Sequence, residues 1–256
     1  MFHSCVFLSL LLSTVVPTLA QTPPGFVPSV KQSLNITYDT NNVSPPGELI
    51  PRGDTANPPS ISTPVYQNAS SGGRSIIFLI DRDVPRNGSR VTLLHWLVPN
   101  VTVSSGGGLT LDIPVPQEGE TGGAPYLQPS PPVGDSPHTY TFLLFPQPDN
   151  FTIPSEFASI NPPADSSARI GFNISSFAKA AGLMAPLAAN YMQVQNLTGV
   201  TGVATTFPPV AATSTPTSSE STATAPATYT GAAAVVGDNL GVGVLGAAVA
   251  ALAALL

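Results

Sequence analysis

The sequence predicts one mostly β domain, a sandwich with short peripheral helices, followed by a disordered stalk. Three observations carry this reading. Short apolar runs separated by Pro and Gly dominate from Gln21 to Val203, and stretches with helical periodicity are scarce. From Ala204 to Thr230 the composition turns to Thr, Ser, Ala and Pro, with Glu220 as the one charge. Such a segment buries too little apolar surface to offset its ordering entropy.

The chain opens with a segment read as a signal peptide, residues 1–20. Val6–Val16 is apolar apart from Ser9, Ser13 and Thr14, and Thr18-Leu19-Ala20 is a small-x-small cleavage pattern. The mature domain, 21–203, has roughly 180 residues, enough for one real core. Ser33–Tyr38 alternates, with Leu34, Ile36 and Tyr38 on one face of a half-buried strand. Ser75–Ile80 and Leu93–Val98 are continuous apolar runs, which suit strands covered on both faces. Thr139–Phe145 is strand-like in the same way. Asp81 and Asp83 are expected to end the Ile76–Ile80 strand, with Val84-Pro85-Arg86 as a turn. Ser175-Ser176 should cap a short helix over Phe177–Ala181 that stops at Gly182, and a second brief helix is expected around Leu187–Met192. Two long irregular segments, Thr40–Pro64 and Gly106–Pro137, are of a length that is usually functional.

Beyond the domain, the stalk (204–230) reads as an extended, O-glycosylated spacer. Gly231-Ala232-Ala233, a spacer ending at Asp238-Asn239 and the apolar run Leu240–Leu256 match a glycosylphosphatidylinositol (GPI) attachment signal over 231–256, with Gly231 as attachment residue. A tail-end transmembrane helix is the alternative, and both tether the domain to a membrane. Sequons at Asn35, Asn42, Asn68, Asn87, Asn100, Asn150, Asn173 and Asn196 mark N-glycosylated surface positions of an extracellular protein at the cell surface or wall. The only cysteine, Cys5, lies in the signal peptide, so packing alone must hold the mature domain.

His95 and His138 are the only histidines after residue 20. Each sits in or at the start of an apolar strand, and Asp81 follows another. These three can converge on a pocket at a sheet edge. The net charge of −6, with scattered basic residues, argues against a nucleic-acid partner.

Four groups of residues resemble the phosphatidylethanolamine-binding (Raf kinase inhibitor-like) proteins. They are Asp81-Arg82-Asp83-Val84-Pro85-Arg86, Leu94-His95-Trp96-Leu97-Val98, the ordered set Tyr126, Pro131-Pro132, Gly134, His138 and Tyr140, and the later Arg169, Phe172, Phe177-Ala178, Pro186 and Tyr191. The resemblance spans about Leu34 to Gln195 and has the character of a secreted, GPI-anchored fungal-type member. It implies a small ligand pocket lined by Asp81, His95, Pro131, His138 and Tyr140, with both imidazoles donating to a phosphate or phospholipid-headgroup anion. It implies apolar walls from Trp96 and Pro131-Pro132, and no cofactor or metal. The sequence departs from the family pattern at Arg82, Thr139, Gln128 and Ser130, the last two being expected to narrow the pocket mouth.

An enzyme is not expected, because no Gly-x-Ser-x-Gly elbow is present and two histidines are too few for a two-metal dismutase site. The function expected is ligand binding. Inhibition of a secreted serine peptidase of the carboxypeptidase type is the alternative, and a structural wall glycoprotein is the third reading.

Overall fold

The computed structural model describes residues 21–64, 73–104, 109–115 and 122–198. The signal peptide, Asn68, the stalk, Gly231 and the apolar tail lie outside them. No helix among the described residues is long and apolar enough to cross a membrane.

Among the described residues the strands are β1 (Asn35–Tyr38), β2 (Asn41–Asn42), β3 (Glu48–Leu49), β4 (Ser60–Ser62), β5 (Ser75–Arg86), β6 (Ser89–Val103), β7 (Leu111–Asp112), β8 (His138–Pro146) and β9 (Ala188–Val194); the α-helix α1 spans Ile174–Ala180, and three short 3-10 turns lie outside it. They form a six-stranded sheet in the order β3-β9-β8-β5-β6-β7 and a three-stranded sheet in the order β2-β1-β4. The large sheet is mostly antiparallel, with β3 joining β9 in parallel.

Both faces of the large sheet are buried, which is why Ser75–Ile80 carries no polar alternation. On one face Ile77, Leu79, Trp96, Val98, Phe142 and Leu144 pack with Leu34 and with Ile36, Tyr38 and Ile61 of the small sheet. On the other, Ile76, Phe78, Ile80, Leu143 and Phe145 pack against α1 and its flanks. The faces alternate residue by residue, as a pleated strand requires. Asn190 ties the layers together, its Nδ2 donating to Leu34 O (2.9 Å) and Val43 O (3.1 Å).

Three expectations need correction. β5 does not stop at Ile80: it continues through Pro85 to Arg86, and the hairpin turn is Asn87-Gly88. Both turn residues have positive φ (50° and 76°), the backbone that an Asn-Gly hairpin supplies. Pro85 is tolerated because β8 pairs with β5 only as far as Asp81, so its missing N–H lies beyond that ladder. The segment Leu187–Met192 is not helical but belongs to β9, which pairs with β8 over Ala188–Val194. Its Ala-rich composition favours helix, but the pairing and the burial of Ala188, Ala189 and Met192 override that preference. The helix near Phe177 begins three residues earlier than expected, because Asn173, not Ser175-Ser176, is the cap: its side chain accepts from Ser176 N–H (2.9 Å).

Six sequon asparagines, Asn35, Asn42, Asn87, Asn100, Asn150 and Asn173, are exposed, while Asn196 is half-buried.

Candidate functional site

β5, β6 and β8 bring together the residues that the sequence singles out. Asp81 is paired with Tyr140 across β5 and β8, and His138 opens β8. His95 reaches the same place through a β-bulge. Leu79 pairs with Trp96 and Ile80 with Leu94, which leaves His95 as the extra residue on β6. Strict alternation would send His95 and Trp96 to opposite faces. The bulge re-aims His95, and its ring stands edge-on to Tyr140 at 5.0 Å.

These side chains border a cavity of about 510 Å³, whose other walls include Val84, Pro85, Leu93, Leu127 and Pro132. Gln128 and Ser130 stand at its edge and are both tied to Arg52: Gln128 Nε2 donates to Arg52 O (2.9 Å), and Ser130 Oγ accepts from the guanidinium (3.1 and 3.3 Å). Of the expected apolar walls only Pro132 is placed there. Trp96 is buried in the core edge-on to Tyr126 (5.5 Å), and Pro131 is buried with its carbonyl accepting from Asn196 Nδ2 (3.2 Å). The irregular segment before β8 runs beside β6, where Leu127 N–H donates to His95 O (2.8 Å). It thereby supplies much of the cavity wall.

The two histidines differ sharply. His95 Nδ1–H donates to Leu127 O (2.8 Å), so the neutral ring presents a lone pair at Nε2. That Nε2 is buried without a hydrogen-bond partner, since Asp81 Oδ2 is 4.0 Å away. Burial holds the His95 pKa below its ordinary value, with the Asp81 charge opposing. His138 is the reverse case: Nδ1 is 2.8 Å from Asp81 Oδ2, and Nε2 is 2.9 Å from Asp135 Oδ2. Burial works against its charge, but the two carboxylates outweigh it and raise the pKa. Both its nitrogens are therefore committed. His95 Nε2 has no such partner.

Asp135 and Arg90 are site residues that sequence reasoning missed. Arg90 clasps Asp135 with two hydrogen bonds (2.6 and 2.7 Å) and donates to Asp83 O (2.6 Å). Burial pushes Asp135 up, but hydrogen bonds from Arg90 and His138 hold its carboxyl at about 2. Asp83 accepts from Thr139 N–H (2.8 Å) and donates its own N–H to Asp81 Oδ1 (2.7 Å), while burial raises its carboxyl pKa. Burial and the Asp81 charge place the Tyr140 phenol well above its ordinary value, so it is a donor at any physiological pH.

Arg90, Asp135, His138 and Asp81 form a continuous chain of side-chain contacts. Beside it lies the largely apolar cavity, and the buried His95 Nε2 has no hydrogen-bond partner. A second cavity of about 450 Å³, lined by Phe26, Arg82, Phe172 and Asn173, contains no histidine.

The family model described as phosphatidylethanolamine-binding protein matches residues 40–202. The chain is 32% identical over 197 residues to phomoidride biosynthesis cluster protein N of Talaromyces stipitatus, covering 73% of this chain and 94% of that one. It is 27% identical over 201 residues to the 26 kDa secreted antigen of Toxocara canis, covering 75% and 63%. Among solved structures, the carboxypeptidase Y inhibitor in complex with its cognate proteinase is similar with a TM-score of 0.46 and 16% identity, over 66% of this chain and 85% of that one.

Proposed function

Since the chain belongs to the phosphatidylethanolamine-binding protein family, we propose that it is a cell-surface ligand-binding protein whose cavity receives a phosphoryl group, from a phosphate monoester or a phospholipid headgroup. One observation carries this reading: His95 Nε2, buried and without a partner on the cavity wall. A buried polar atom left unsatisfied is costly, and a phosphoryl group with a proton shared between it and the ring would satisfy this one. Tyr140 and the apolar walls frame the group, and Asp81 is placed to accept from a headgroup ammonium.

The pH dependence follows from His95. In its neutral form Nε2 offers a lone pair, so a phosphoryl oxygen binds there only with a proton between them. That proton comes from the imidazolium or from the P–OH of a monoanionic ester, whose second pKa is about 6. Both sources disappear as pH rises. Calorimetric titration with phosphoethanolamine should therefore give a dissociation constant at least about tenfold smaller at pH 5 than at pH 8. His95→Ala should weaken binding at pH 5 by about 1.5–3 kcal/mol, the range for a charge-assisted hydrogen bond. Equal affinity at both pH values, or an unaffected His95→Ala variant, rejects the proposal.

The location proposed is the outer face of the plasma membrane, through a GPI anchor at Gly231. The small residues Gly231-Ala232-Ala233, the spacer to Asp238-Asn239 and the apolar run Leu240–Leu256 support this. Phosphatidylinositol-specific phospholipase C should release the mature protein from intact cells; a protein that stays on the cells with its tail peptide intact is held by a spanning helix instead.

A further inference from the structure

We infer that Asp135 and Arg90 are positioning residues that hold His138 as an imidazolium bridging two carboxylates, so that a ligand's polar group is received by His95 Nε2 and not by His138. The first part stands on the ligand-free geometry. The second rests on the phosphoryl-binding reading and narrows it to one histidine.

His138 points each ring nitrogen at a carboxylate oxygen, Nδ1 at Asp81 (2.8 Å) and Nε2 at Asp135 (2.9 Å). A neutral imidazole carries one N–H. If His138 were neutral, one of these contacts would set lone pair against lone pair at less than 3 Å. Two protons remove the conflict. A neutral ring accepting from Arg90 at Nε2 is the competing arrangement, but that contact is the longer one, 3.3 Å, and leaves the 2.9 Å approach to Asp135 unexplained. Arg90 and His138 instead converge on the same oxygen, Asp135 Oδ2.

The groups that face His138 come from every element around it. β5 contributes Asp81, with Asp83 tied to it through the Asp83 N–H. β6 contributes Arg90, and His95 stands beyond Asp81. The segment before β8 contributes Asp135, and β8 itself contributes the Tyr140 ring, stacked on His138 at 6.4 Å. Asp135 is in turn fixed by the two-pronged Arg90 contact and by the N–H of Ser136 (2.7 Å). The result is a continuous chain, Arg90–Asp135–His138–Asp81, in which both ring N–H groups of His138 are taken up by carboxylates.

Nitrogen-resolved NMR of histidine-labelled protein tests both parts. Without ligand, His138 should show both nitrogens protonated at pH 7.5, with a titration midpoint above the ordinary value of about 6.5. His95 should appear as the neutral ring protonated on Nδ1. Adding phosphoethanolamine should move the His95 Nε2 resonance to saturation and leave both His138 nitrogens protonated. In Asp135→Asn, the His138 midpoint should fall by about one pH unit or more, and phosphoethanolamine should then shift His138 as well. A neutral His138 at pH 7.5 in the unaltered protein overturns the bridging imidazolium, whether or not Asp135→Asn folds. Ligand-induced shifts centred on His138 in the unaltered protein overturn its exclusion from the ligand. If no histidine resonance moves although the ligand-free spectra are as expected, the phosphoryl-binding reading fails and the bridge stands.

Discussion

His138→Ala should destabilise the domain by about 3–5 kcal/mol, the cost of removing one partner from a buried ion pair. His138 is almost fully buried between Asp81 and Asp135. Arg90 still pairs with Asp135 in the variant, but Asp81 loses its 2.8 Å contact with His138. The loss should depend on pH with a definite sign. The folded-state pKa of His138 is raised, so its stabilising contribution is fully present below the unfolded value near 6.5 and is lost as pH rises through the folded value. The difference between the unaltered protein and the variant should therefore be largest near pH 6 and shrink at alkaline pH. Urea unfolding at pH 6 and at pH 9 measures both. A loss under about 1 kcal/mol at pH 6 would place His138 in the range of an exposed ion pair and contradict its role as a buried bridge.

Phe177→Ala should cost a similar amount, about 3–5 kcal/mol, for a different reason: a cavity in the core. Phe177 is fully buried and is the point at which α1 docks on the large sheet. Its ring lies 5.4 Å from Phe78, 5.0 Å from Phe157 and 5.4 Å from Phe172. Edge-to-face pairs of this kind add to simple area burial. No titratable group takes part, so this loss should be the same at pH 6 and pH 9, which separates it from the loss in His138→Ala. A cost under about 1.5 kcal/mol would mean that α1 is a loosely attached cover and not part of the cooperative unit.

Much of this architecture was legible because its signals are local. The continuous apolar run Ser75–Ile80 suits a strand covered on both faces, and the small sheet on one side and α1 on the other cover it. His95 and His138 stood out by their rarity and by their place in apolar strands. The parts that were not legible are those fixed by distant partners. β9 looked helical because its alanines carry helix propensity, whereas its state is set by pairing with β8, some 50 residues earlier in the chain. The bulge at His95 leaves no trace in residue types; alternation alone would part His95 from Tyr140. Asp135, in Gly134-Asp135-Ser136-Pro137, reads as ordinary turn chemistry, and Arg90 as a hairpin residue. Only the fold reveals that these two meet across 45 residues of sequence and commit His138. The Asn87-Gly88 turn is a signal present in the sequence, masked by Pro85, which reads as a strand breaker just before it.

The commitment of His138 changes the chemistry expected of the pocket. Two histidines donating to one anion would make a cationic site with steep affinity for phosphate dianions. On the reading proposed above, a His138 held between two carboxylates and a His95 with one unpartnered nitrogen would instead favour a phosphoryl group that arrives with a proton or finds His95 protonated.

A crystal structure of the protein grown with saturating phosphoethanolamine at pH 5 tests this most directly. It should show the phosphoryl group in the 510 Å³ cavity, with one oxygen about 2.7–2.9 Å from His95 Nε2 and the contacts of His138 to Asp81 and Asp135 intact. A phosphoryl group seated elsewhere, or bound through His138 with the Asp135 contact broken, would contradict it.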